Sequence, residues 1–253
     1  MILDQFRLDG KVALVSGANT GLGQAMAIAL AQAGANVVAI GRSEPTQTEL
    51  AIRQAGRDCL WLPAEFTADA DPTALIQQAV EHFGSADILV NNAGTIRRNA
   101  AVDFTPTEWD EVMDVNLKSV FFLSQAFARQ LLQRKRPGKI INIVSMLSFQ
   151  GGIRVASYTA SKSGLLGLTR LLANEWAVSG INVNAIAPGY FATSNTTALR
   201  ADEGRNRDIL ARIPAGEWGD PAALAGAVVY LASAASNYVH GSVLAVDGGW
   251  LGR

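Results

Sequence analysis

The sequence predicts an α/β fold: a single-domain, Rossmann-type doubly wound parallel sheet flanked by helices, covering residues 1–253. Three observations lead there. Short β-rich runs alternate with longer helical patterns along the chain, which is the signature of strand–helix–strand units. Several of the runs are apolar on both faces, as strands covered by helices on each side must be. No linker, low-complexity tract or repeat interrupts the alternation, and the length can bury one large core.

In chain order the strand candidates are VALVS (12–16), NVVAI (36–40), CLWLP (59–63), DILVN (87–91), KIINIVS (139–145), INVNAI (181–186) and SVLAV (242–246). Helical patterns lie between them at about 22–33, 46–55, 72–83, 107–135, 157–179 and 221–233. One segment breaks the rhythm. Residues 190–219 (YFATSNTTALRADEGRNRDILARIPAGEWG) are polar and charged, and they follow the sixth strand, where ligands bind outside the carboxyl ends of strands. An insertion of that length in a compact domain is usually functional, so the segment reads as a substrate lid.

Composition narrows the partners. A net charge of -1 gives no electrostatic case for nucleic acid or an anionic membrane. The single cysteine, Cys59, cannot form an internal disulfide and enters an apolar run, so it reads as core in a reducing compartment. The N-terminal MILDQFRLDGK is broken by charges, and no uncharged apolar run approaches the ~18 residues that span a bilayer. A soluble, cytoplasmic protein is expected. His82 and His240 belong to no partnered motif and read as structural or solvated, and no metal site is expected.

The first strand runs into SGANTGLGQAMAIALAQAG (16–34), where Gly17, Gly21 and Gly23 form GxxxGxG between a strand and an amphipathic helix. Glycines there permit a tight turn and let the backbone approach a pyrophosphate, whose charge is favoured at a helix N-terminus. The same spacing also occurs in ordinary turns, but two further turns accompany it: NNAG (91–94) after the fourth strand and APGYFAT (187–193) after the sixth. An acid about 20 residues past the glycines would bind the adenosine ribose 2′-hydroxyl. That position reads Gly41-Arg42-Ser43, with no carboxylate. Arg42 suits a 2′-phosphate through charge-assisted hydrogen bonds, which favours NADP over NAD.

Chemistry concentrates in SMLSFQGGIRVASYTASKSG (145–164). Tyr158 and Lys162 stand one helical turn apart and project from one face. A free phenol titrates near 10, and a neighbouring ammonium lowers that value by stabilising the phenolate. Ser145, leaving the fifth strand, is placed to hold a reacting oxygen. A Tyr–Lys pair alone is a common accident of helices; the surrounding pattern gives it weight.

Over essentially its whole length the sequence resembles the short-chain dehydrogenase/reductase family. The matching residues are Gly17, Gly21 and Gly23, Asn91 to Gly94, Asn116, Ser145, Tyr158, Lys162, and Pro188-Gly189 with Thr193. The resemblance implies hydride transfer in which Tyr158 exchanges a proton with the substrate oxygen and Ser145 positions that oxygen. Lys162 would bind the nicotinamide ribose, and Asn116 would hold a proton-relaying water. Cofactor contacts are then expected from Gly17, Asn19, Thr20, Gly21, Leu22, Gly23, Arg42, Ser43, Asn92, Ala93, Gly94, Tyr158, Lys162, Pro188, Gly189, Phe191 and Thr193. Two departures stand out: Ser16 where the family often has Thr, and Glu65-Phe66 where it often has an Asp that contacts adenine.

A narrower likeness is carried by residues 145–164, NVNAIAPGYFATSNTTALRADE, ILARIPAGEWG and AVDGGWL. These runs resemble the 2-deoxy-D-gluconate 3-dehydrogenase / 2-dehydro-3-deoxy-D-gluconate 5-dehydrogenase group, which implies an anionic keto or hydroxy sugar acid as substrate. Reduction of an alginate-derived unsaturated uronate, gluconate 5-dehydrogenation and 3-oxoacyl-carrier reduction are the alternatives, and a nucleotide-binding regulatory protein is the non-enzymatic one. Ser145, Gln150, Arg154 and Tyr158 are the expected substrate contacts. Arg154 suits a carboxylate through paired hydrogen bonds, with Arg97, Arg98 and Arg200 as rivals and a purely architectural role equally open. The resemblance also implies a homotetramer. The small residues Ala160, Ser161, Ser163, Gly164 and Gly167 would allow close helix approach or serve internal packing, and Trp250 would be an anchor. Trp61, Trp109, Trp176 and Trp218 read as core or lid packing.

Overall fold

A computed structural model describes residues 1–66 and 71–253. Its strands are β1 (Val12–Ser16), β2 (Asn36–Gly41), β3 (Cys59–Pro63), β4 (Ile88–Asn91), β5 (Gly138–Ile143), β6 (Ile181–Pro188) and β7 (Val243–Val246). They form one seven-stranded sheet in the order β3-β2-β1-β4-β5-β6-β7. Every pairing is parallel. The order reverses between β1 and β4, so the chain leaves the two strands in opposite directions. A crevice opens there at their carboxyl ends.

The α-helices are α1 (Gly21–Gln32), α2 (Thr46–Gln54), α3 (Pro72–Phe83), α4 (Pro106–Met113), α5 (Ser119–Arg134), α6 (Ala156–Trp176), α7 (Thr197–Ala201), α8 (Glu203–Arg212) and α9 (Ala225–Ala232). Local chemistry sets several of their ends. Asp71 accepts hydrogen bonds from the Thr73 and Ala74 N–H groups, Pro72 occupies the first helical position, and left-handed Gly84 closes α3. Thr105 and Glu108 form a reciprocal capping box on α4.

Alternate residues of each inner strand serve opposite faces. Ala13, Val15, Val37, Ala39, Ile141 and Ile143 pack on one side with Met26 and Leu30 of α1 and Val228 of α9. Leu14, Val38, Ile40, Leu89 and Ile140 pack on the other with Phe127 and Leu131 of α5 and Leu172 of α6. These strands are therefore buried on both faces.

The structure departs from the expected elements in three places. The single helix expected over 107–135 is α4 and α5 joined by a π turn, Asp114–Lys118. Apolar periodicity runs through both pieces, so it gives no sign of the extra residue. The helix expected at 221–233 opens with a 3₁₀ turn, Pro221–Leu224, capped by Asp220 accepting from the Ala222 N–H. Trp109 is 41% exposed rather than packed in the core. Cys59 does lie in the core, and burial pushes its thiol up to about 11. No helix among the described residues is long and apolar enough to cross a membrane.

Candidate active site

The turn after β1 is sewn to the turn after β4. Ser16 Oγ accepts from the Asn92 and Ala93 N–H groups, each at 3.0 Å, and donates to Val90 O at 3.4 Å. Asn92 Nδ2 returns hydrogen bonds to Ser16 O (3.0 Å) and Gly17 O (3.3 Å). This packing requires glycine. Gly17 has φ +67, and a Cβ there would lie 2.9 Å from Asn92 Nδ2; a Cβ at Gly23 would strike both Gly17 O and Asn92 Nδ2. Two glycines thus hold the start of α1 against the neighbouring strand's turn, with its free N–H groups at the crevice. Thr20 is exposed there and Leu22 half-buried.

Thr193 joins the same corner: a Cβ on Gly21 would be 3.5 Å from its methyl group. Pro188 ends β6, and the Gly189 N–H donates to Val246 O at 2.9 Å. The side chain of Phe191, a residue expected at the cofactor, is 4% exposed and packs in the core beside Gly219. Its ring anchors the base of the 190–219 segment. Gly94 lies over Asn116. At the far edge, Asn19 Nδ2 donates to Ser43 Oγ at 2.7 Å. Arg42 is exposed, with Nη1 3.7 Å from Glu65 Oε1. The residue that departs from the family pattern therefore sits against the arginine expected to choose the cofactor.

Ser145, Tyr158, Lys162 and Asn116 come together at the carboxyl ends of β4 and β5. Ser145 leaves β5 extended, and its Oγ accepts from the Leu147 N–H at 3.1 Å. Ser148 Oγ donates to Lys162 O at 2.8 Å, tying that loop to α6. Tyr158 is half-buried. Loss of water around the phenol raises its pKa above the ordinary value, while a hydrogen bond with Ser145 and the charge of Arg98 pull it down. Lys162 is 4% exposed, and burial lowers its ammonium to about 8. Its Nζ donates to Ile143 O at 2.6 Å and lies 5.8 Å from the Tyr158 ring centroid. The sequence leads one to expect the ammonium to lower the phenol. Here desolvation outweighs every lowering influence, and Lys162 is turned to the backbone of β5.

Asn116 is fully buried at the middle of the π turn. Its Oδ1 accepts from the Thr95 N–H (2.8 Å), and Nδ2 donates to Thr95 O (2.9 Å) and Ser161 Oγ (3.3 Å). Both amide hydrogens are therefore committed. Ser161 Oγ in turn donates to Tyr158 O at 2.9 Å. Sequence reading gave Ser161 and Ser148 no part in this network. The only signal for Ser161 is its place three residues after Tyr158, on the same helix face.

The arginines separate clearly. Arg97 forms a two-point pair with Glu111. Arg200 donates to Thr193 O at 3.3 Å. Arg154 is exposed with φ +62, and its carbonyl accepts from the Asn99 N–H at 3.0 Å. Arg98 is the arginine whose charge bears on Tyr158. Gln150 Oε1 accepts from Arg212 Nη2 at 2.9 Å, so the segment after β6 reaches the loop after β5. Trp250, expected at a subunit contact, is 4% exposed and packs within this chain against Met146, Ile209 and Ile213.

Comparison with known proteins agrees with this geometry. Residues 17–251 match the family described as Enoyl-(Acyl carrier protein) reductase. The chain is 59% identical over 253 residues to the 2-dehydro-3-deoxy-D-gluconate 5-dehydrogenase of Escherichia coli (strain K12), covering 100% of both chains. A crystal structure of a putative 2-deoxy-D-gluconate 3-dehydrogenase from Agrobacterium tumefaciens with bound NADP is 58% identical, with a TM-score of 0.93 over 99% of this chain and 100% of that one. A gluconate 5-dehydrogenase from Burkholderia cenocepacia, in complex with NADP and tartrate, is 40% identical with a TM-score of 0.95 over 100% of both. The chain belongs to the short-chain dehydrogenase/reductase family of oxidoreductases.

Proposed function

We propose that the protein is an NAD(P)-dependent oxidoreductase acting on a keto or hydroxy group of a deoxy sugar acid, of the 2-dehydro-3-deoxy-D-gluconate 5-dehydrogenase type. The observation that carries it is the gathering of Ser145, Tyr158 and Lys162 beside the glycine turn, at the carboxyl ends of β4 and β5. The glycine cradle fits a dinucleotide, because side chains at Gly17 and Gly23 would fill the approach to Asn92 and to the start of α1. Relatives named for deoxygluconate and gluconate dehydrogenation, some with NADP bound, support the reading.

When bound, the nicotinamide supplies or accepts the hydride. The chain's own residues manage the proton. Tyr158, a phenol protonated at neutral pH whose pKa desolvation pushes further up, donates from its hydroxyl to a carbonyl oxygen and takes the proton back in the reverse direction. Ser145 holds that oxygen against the phenol. Lys162 places a positive charge beneath the pair at pH 7, and loses it as pH rises through about 8. Asn116 has one Oδ1 lone pair left for a water. Arg98 and Arg154, both exposed and in no ion pair among the described residues, are the candidate partners for a substrate carboxylate.

Arg42, with Gly41 in place of a ribose-binding acid, supports NADP as the preferred cofactor. Residues 190–219 serve as the substrate lid. A cytoplasmic homotetramer fits the free buried thiol of Cys59 and the open outer edge of β7, where Leu244 is 37% exposed. Steady-state rates with NADH and NADPH against keto-deoxy uronates, gluconates and acetoacetyl thioesters test the assignment. Turnover should be fastest on the keto-deoxy sugar acid, and Tyr158→Phe should lower kcat by at least ~10²-fold with cofactor affinity nearly unchanged. Preference for the thioester, or near-normal turnover by the Phe variant, overturns it.

A further inference from the structure

We infer that Arg212 is a positioning residue that latches the 190–219 segment, registering α8 against the loop that follows Ser145. The inference rests on reading that segment as the lid of a sugar-acid site. α8 has little apolar support of its own: Ile209 is its one buried residue. With Ile213, Met146 and Trp250 it forms a small cluster apart from the two main cores. An element held by so few buried contacts opens at low cost, so single contacts decide its position.

Arg212, at the end of α8, meets two other parts of the chain. Its guanidinium carbon lies 4.1 Å from the Trp250 ring, and Nη2 donates to Gln150 Oε1 at 2.9 Å. The Gln150 N–H donates to Met146 O, one residue beyond Ser145. The C-terminus supplies the seat. Arg253 donates to Ala211 O (2.9 Å) and Arg212 O (3.2 Å), and the Ala215 N–H donates to Gly248 O (3.0 Å). No carboxylate among the described residues forms an ion pair with Arg212. Its side-chain holds are thus a neutral amide and an aromatic face, contacts weak enough to break and re-form with each turnover. Gln150, expected to bond the sugar chain, gives its Oε1 to Arg212.

Arg212→Ala, Gln150→Ala and the double variant test this, using the cofactor-saturated enzyme with the keto sugar acid and its uncharged methyl ester. Each single change should raise KM by about 3- to 10-fold for acid and ester alike with kcat nearly constant, as expected when a binding-competent state is less populated. The double variant should be no worse than the worse single one, because both remove the same contact. Arg212→Lys keeps the charge but not the planar fork, and should recover only part of the loss. Amide hydrogen exchange over 203–212, in enzyme without substrate, should quicken by a similar factor in each variant. A KM rise confined to the acid makes Arg212 a carboxylate ligand and overturns the latch, as do additive effects. If no sugar acid is turned over by the unaltered enzyme, the substrate reading fails, while unchanged exchange over 203–212 refutes the latch independently.

Discussion

Arg98 and Glu65 are charges whose effects reach the chemistry from the edges of the site. Arg98 favours the phenolate of Tyr158, so removing it should move the phenol further up. Arg98→Ala should shift the alkaline limb of the pH–rate profile upward and raise KM for the acid substrate by at least ~10-fold, since a carboxylate loses a charge-assisted partner. An unchanged KM with a shifted profile would leave Arg98 tuning the acid without touching substrate. Glu65 lies 3.7 Å from Arg42 and would compete for it with a 2′-phosphate. Glu65→Gln should tighten NADPH binding by about two- to threefold at low salt and leave NADH unaffected, as expected of an exposed, screened pair. Titration of both cofactors by fluorescence gives the answer, and equal changes for both refute it.

At the scale of elements, the site depends on how turns pack on one another. Gly23 is the tightest point, where β1's turn, Asn92 and α1 converge. Gly23→Ala should force these apart, lowering stability by about 1–3 kcal/mol as overpacked sites do, and weakening cofactor binding at least ~10-fold. Thermal unfolding and a dissociation constant measure both; wild-type binding by the Ala variant would mean that the turn yields freely. The π turn shows what pattern reading misses. It leaves Asn116 buried beneath Gly94, yet the residues around it, VMDVNLKS, read as unbroken helix. Gain of one residue in a turn changes direction without changing polarity.

Across the whole molecule, two buried lysines carry opposing consequences. Lys139 is the second residue of β5, at the end of the sheet away from the site, with Nζ bonded to Asn237 Oδ1 (2.9 Å) and Ser236 Oγ (3.4 Å). Burial lowers it to about 8 from an ordinary 10.5, as it does Lys162. A folded value below the unfolded one means that the fold penalises the charged form. That penalty is complete below pH 8, shrinks as pH rises to 10.5, and is gone above it. Lys139→Met should therefore stabilise the protein at pH 7 by about 1–2 kcal/mol after the lost hydrogen bonds, and by progressively less towards pH 10. Denaturant unfolding at several pH values checks this, and a gain independent of pH would assign the effect to packing. Lys162 bears the same cost within the site, 5.8 Å from the Tyr158 ring centroid.

The sequence by itself determined the strands, the doubly wound class, the three turns at one end of the sheet and the one-turn spacing of Tyr158 and Lys162. Those features are local, written in periodicity, glycine placement and helix geometry, whereas Asn116 and the role of Ser145 came from the family resemblance. Tertiary structure decided what each side chain was left free to do. Arg97 and Arg98 are adjacent in sequence and chemically identical, yet Glu111 takes the first while the second stays exposed, its charge favouring the Tyr158 phenolate. Phe191 and Trp250, each 4% exposed, turn their side chains into the chain's own interior. Gln150 looked free for substrate and is held by an arginine 62 residues away. The phenol of Tyr158 is set by the water it loses rather than by the lysine one turn along. Partners, exposure and desolvation arise only when distant segments meet, because each depends on which groups share a volume and how much water is left there.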